Sequence, residues 1–67
     1  MIRQLGPGDL AIIRSLLNGN TRVKEIAWDV QRTHGGVKTS LCRIYIKLGV
    51  RDLPGLALWA AGNRHLV

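Results

Sequence analysis

Apolar residues recur along this sequence at helical spacing, and turn-forming residues break the pattern before any stripe grows long. Val23, Ile26, Ala27 and Val30 stand at i, i+3, i+4 and i+7, which is one face of an amphipathic helix. Leu10, Ile13, Leu16 and Leu17, widened by Ile12, repeat that spacing upstream. Val37, Leu41, Ile44, Tyr45 and Leu48 repeat it downstream on a longer segment. The pattern predicts an all-α chain of four helices, over about 7–18, 22–30, 34–48 and 53–61, within one domain spanning 1–67.

The breaks carry their own chemistry. Pro7 opens the first segment, since the N–H that proline lacks has no intrahelical partner in a first turn. Asn18-Gly19-Asn20 closes that segment. Thr21 is the expected cap of the second, with no capping box because Lys24 stands three residues on. Gln31-Arg32-Thr33 separates the second segment from the third, and Thr33 is the expected N-cap there. Gly49 stops the third, and Val50 occupies the place of a closing apolar contact. The last segment begins near Asp52 or Leu53 with Pro54 in its first turn and ends at Gly62-Asn63. Arg64 to Val67 are expected to fray.

Sixty-seven residues leave room for one core, with about 60% of the unfolded surface buried. No apolar run of membrane-spanning length and no signal-peptide pattern occurs. Cys42 is the sole cysteine, so no internal disulfide can form, and a reducing cytoplasm is the expected compartment. Ten Lys and Arg against four acids give a net charge of +6. The excess is concentrated: Arg22, Lys24, Arg32, Lys38, Arg43, Lys47 and Arg51 face only Glu25 and Asp29 in the middle of the chain. Such a balance attracts polyanions, nucleic acid first among them.

A short helix, a tight turn and a longer helix with a basic outer side form a helix-turn-helix arrangement. At 100° per residue, the side of the third segment opposite its apolar stripe holds Gly35, Thr39, Cys42, Arg43 and Ile46, with Lys38 at its flank. Gly35, Gly36, Thr39 and Ser40 are small enough to let a backbone approach a major groove. Lys38, Arg43 and Lys47 supply charge for phosphates.

The run from Val37 to Arg51, VKTSLCRIYIKLGVR, resembles the signature of the LuxR/GerE family, in which T-V-K-x-H leads into I-x-x-K-L-G-V at the same spacing. Lys24-Glu25-Ile26-Ala27 matches that family's K-E-I-A segment. Leu5 and Pro7, through Ile12, Ile13 and Gly19, follow its opening, and Ala57 to Ala60 fit its last helix. The resemblance covers roughly residues 5 to 61. It departs at Gly36, where the family has Thr, at Gly35, where a polar or charged residue is usual, and at Ser40 in place of His. One additional residue also lies between Gly19 and Lys24.

The resemblance implies a four-helix LuxR/GerE-type domain that binds double-stranded DNA sequence-specifically, as a small repressor or autoregulator without a sensor domain. Size and the missing sensor suggest the compact kind carried by phages and mobile elements. It implies phosphate contacts from Lys24, helped by Arg22, and places Thr33 and His34 beside the backbone or groove edge. Lys38 and Thr39 would face bases or phosphates, with Cys42 and Arg43 one turn further. Lys47 would touch backbone or pair with an acid. The family commonly dimerises through its last helix. Leu53, Leu56, Leu58 and Trp59 exceed what one face of so short a helix can bury, so Leu53, Leu56 and Trp59 are the expected contact residues of a homodimer.

Catalysis is not expected. Asp9, Glu25, Asp29 and Asp52 sit where helix ends or surface would want acids, and His34 and His65 lie far apart. Cys42 has no partner at metal-ligand or nucleophile–base spacing, so no metal or cofactor is expected. Trp28 and Trp59 are read as core or interface anchors rather than base-stacking platforms. The alternative function is a protein-directed inhibitor that pairs with a LuxR-type regulator or a component of RNA polymerase.

Overall fold

A computed structural model describes residues 5–66. Four α-helices follow one another: α1 (Pro7–Leu17), α2 (Val23–Val30), α3 (His34–Leu48) and α4 (Leu53–Gly62). A 3₁₀ turn over Arg64–Leu66 stands where fraying was expected. No strand occurs among the described residues, and the architecture is all-α. No helix among them is long and apolar enough to cross a membrane.

The helix ends follow from local hydrogen bonding. At α1, Pro7 occupies the first turn and the Asp9 carboxylate accepts from the Gly6 N–H at 3.2 Å. Gly19 ends α1 in the left-handed region at φ 103°, where a residue with a Cβ would be strained. Asn20 then ties the turn down. Its amide donates to the buried Ser15 hydroxyl at 3.0 Å and to Asp29 on α2 at 3.3 Å.

The start of α2 corrects the sequence reading. Arg22, not Thr21, is the N-cap, and its backbone N–H donates to the Glu25 carboxylate at 3.2 Å. The acid three residues from the cap was present in the sequence; counting from Thr21 missed it by one position. At α3 the expectation matches: the Thr33 hydroxyl oxygen accepts from the Gly36 N–H at 3.0 Å. Gly49 closes α3 at φ 69°, and the Val50 N–H returns to the Tyr45 carbonyl at 3.0 Å. Asp52 caps α4 by accepting from the Gly55 N–H at 2.9 Å.

The stripes converge on one core. Ile12, Ile13 and Leu16 from α1 meet Ile26 and Ala27 from α2 and Val37, Leu41, Ile44 and Leu48 from α3. Leu56 and Ala60 from α4 and Leu5 from the leading segment complete it. α1 is the central element, in contact with the other three helices, and α2 packs on α3. Tyr45, Leu10, Leu17, Val23 and Val30 lie half-buried at the margins of that core.

Two expectations fail here. Ser40 is not part of the outward side of α3: it is 4% exposed, at the edge of the apolar stripe. Leu56 cannot be a contact residue of a dimer, because it is completely enclosed in the interior of the monomer. Leu53 and Trp59 are half-buried against the core, and Leu58, at 78% exposure, is the large apolar side chain that α4 leaves in water.

Candidate nucleic-acid interface

α3 turns a continuous side to solvent. Gly35, Gly36, Lys38, Thr39, Cys42, Arg43 and Ile46 are all exposed, while Val37, Ser40, Leu41, Ile44 and Leu48 are buried. The helix contains no Asp or Glu, so Lys38 and Arg43 stand on it without a countercharge of their own element. Projected down the axis, Gly35, Thr39, Cys42 and Ile46 form the middle of this side. Lys38 and Arg43 flank it on either edge. Thr39 donates its hydroxyl proton to the Gly35 carbonyl one turn back, at 3.0 Å. Cys42 is a free, exposed thiol.

The two glycines of the first turn differ in what surrounds them. A Cβ on Gly36 would stand 3.0 Å from the Thr33 hydroxyl oxygen and crowd the cap. A Cβ on Gly35 would meet nothing within 4 Å, and Gly35 does not have positive φ. Neither the packing nor the backbone of the folded chain therefore requires glycine at 35.

Of the residues expected to touch DNA, Arg22, Lys24, Thr33, His34, Lys38, Thr39, Cys42 and Arg43 are all exposed. Thr33 caps α3, and the other seven fall into two groups. Lys38, Thr39, Cys42 and Arg43 lie on the outward side of α3. Arg22, Lys24 and His34 line an open groove over α2, with Trp28 and Arg32. The acids of that groove are engaged locally, Glu25 by the Arg22 N–H and Asp29 by the Asn20 amide. Lys47 stands apart. It is half-buried and pairs with Asp9 at 3.1 Å, the acid partner foreseen as one of its two roles.

The sequence reading did not count Trp28 or Arg32 among the contact residues. Trp28 is 88% exposed, which excludes the core half of the anchor reading. Its phase could have shown this: on α2 it projects nearly opposite the stripe of Val23, Ile26, Ala27 and Val30. The Arg32 guanidinium lies against Gly8 at the start of α1, in the space a side chain there would need. Nothing in the spacing of the sequence signals that contact.

Tyr45, half-buried next to this side, has a displaced titration. Burial pushes its phenol above the ordinary value of 10.0, and the negative charge of Cys42 when ionised and of Asp52 adds to the effect. Among the described residues, no group of three His, Cys, Asp or Glu side chains comes together to hold a metal ion. No family model, curated protein or solved structure matches the chain.

Proposed function

We propose that the chain is a small sequence-specific DNA-binding regulator, a helix-turn-helix domain of LuxR/GerE type that seats α3 in the major groove of a duplex. The observation that carries the reading is the outward side of α3. It is acid-free, flanked by Lys38 and Arg43, and begins with a glycine that the fold itself does not need. A helix enters the major groove when its outer side is narrow, and cations at its edges hold it there by neutralising phosphates. Arg22 and Lys24, in the groove they share with His34 at the N-terminal end of α3, extend the positive surface along the neighbouring backbone. Two copies paired through the exposed surface of α4 would present two such helices to successive turns of one face of DNA.

The test is binding to random duplex DNA across a salt series. Direct phosphate contact gives a fall of about 0.9 log units in affinity per log unit of salt for each contact. Lys38→Ala should weaken binding to a selected site by about 1–3 kcal/mol if Lys38 reads a base. A flat salt profile together with an unaffected Lys38→Ala variant would dismiss the reading.

One observation favours a second reading, that of a protein-directed inhibitor acting on a LuxR-type regulator or a component of RNA polymerase. Trp28 stands 88% exposed on α2, and tryptophan is the residue most enriched among side chains that dominate protein–protein binding. In that case, inhibition would persist in Lys38→Ala and be lost in Trp28→Ala.

A further inference from the structure

We infer that the outward side of α3 reads thymine by its C5-methyl group, with Thr39, Cys42 and Ile46 as the reading surface; the inference rests on the duplex-binding reading above. Paired contacts to adenine need Asn or Gln, and accepting from the cytosine amino group needs Asp or Glu. Residues His34–Leu48 contain none of the four. The serine of the helix, Ser40, is turned inward and is 4% exposed. The hydroxyl proton of Thr39 is held by the Gly35 carbonyl at 3.0 Å, so Thr39 offers a base no donor and presents its γ-methyl beside an oxygen that can only accept. Cys42 offers an exposed thiol, a weak donor and a small apolar surface.

What the middle of the outward side of α3 presents, between Lys38 and Arg43, is apolar. Ile46 is 82% exposed, and no part of the described chain covers it. It lies on the line through Thr39 and Cys42, between edges formed by Lys38 and Arg43. The thymine methyl is the one apolar group that the four bases display in the major groove. Charge selects the occupant: a surface with two flanking cations and no acid on its own helix suits a polyanion bearing methyl groups. Thr39 and Ile46 are seven residues apart, about 10 Å along the axis. At 3.4 Å per base step, the surface spans about three steps. Two contacted thymines should therefore lie no more than about three positions apart. Duplex RNA fails twice, having uracil for thymine and a major groove that side chains cannot enter.

The experiment uses the whole chain. Duplexes are first selected from a random pool, and the enriched site is remade with deoxyuridine for one thymidine at a time, which removes a methyl and leaves base pairing intact. Affinities are read by fluorescence anisotropy at fixed salt. The inference expects a loss of about fourfold at each contacted thymine, the effect of one buried carbon group. Ile46→Ala, a change at an exposed position, should keep its helical circular dichroism and its salt dependence while one of the uracil penalties disappears. If a duplex with every thymine replaced binds as tightly as the parent, the inference fails while the DNA-binding reading stands. If no duplex binds even at low salt, both fail together.

Discussion

α3 and α4 each leave one large aliphatic side chain in water, and the company those side chains keep is opposite. Ile46 on α3 is 82% exposed and lies between Lys38 and Arg43. Leu58 on α4 is 78% exposed on a helix that has no charged residue from Leu53 to Gly62. Exposure by itself does not distinguish the two. The neighbouring charge does, because cations around an apolar strip favour a polyanion, whereas an uncharged apolar patch can be covered only by another apolar surface. The pair teaches that a chain this small can keep two exposed apolar positions in different electrostatic surroundings on separate helices, with α1 as the shared backing; under the proposed function, α3 would meet nucleic acid and α4 protein.

The comparison can be broken most severely within α4. Leu56→Ala should lower stability by about 2–5 kcal/mol, because Leu56 is wholly enclosed and its removal leaves a void. Leu58→Ala, only two residues away, should alter stability by no more than about 0.5 kcal/mol. Chemical denaturation measures both. If α4 is where protein pairs, Leu58→Ala should sediment as a smaller species while still folding. Equal destabilisation by the two variants would erase the distinction between inner and outer sides of that helix.

On α3, Gly35→Ala sharpens the contrast. The added methyl meets open space and relieves the helix of glycine, so thermal unfolding should show a gain of about 0.5–1 kcal/mol. Duplex affinity should fall in the same variant, since the outer side would no longer approach as closely. A variant that gains stability and binds DNA unchanged would remove the reason offered for a glycine at 35.

The smallest effect concerns Tyr45, on the margin between the core and the outward side of α3. Its phenol titrates above 10.0 in the folded chain, so the protonated form is the one folding favours. That contribution is fully present below pH 10 and is lost as pH rises through the folded value, because the unfolded chain releases the proton first. Unfolding midpoints taken between pH 8 and 11.5 should decline more steeply in the parent than in Tyr45→Phe. Parallel curves would count against it.

Much of the fold was legible because punctuation and period agree. Thr33, Gly49 and Asp52 do at the helix ends what their chemistry suggests, and the apolar stripes of α1 and α3 became the core. The failures occur where one-dimensional phase is ambiguous. Ser40 projects at the border of the α3 stripe, and only the packing of neighbouring helices decided that it is buried. On α4, Leu53, Leu56, Leu58 and Trp59 surround the axis, so spacing could not say which of them the interior would take. The outward side of α3 was legible apart from Ser40. The groove over α2 was not, since it depends on an exposed Trp28 and an Arg32 folded back on α1.

The ion pair of Lys47 and Asp9 joins positions 38 residues apart, and the same Asp9 oxygen accepts the Gly6 N–H that opens α1. A phosphate reaching for the Lys47 ammonium would compete with that carboxylate for a single cation. Occupation of the C-terminal end of α3 would thus be felt at the first turn of α1, which Asp9 holds against it. The chain has in this one carboxylate a mechanical link between whatever lies along α3 and the segment that leads into α1.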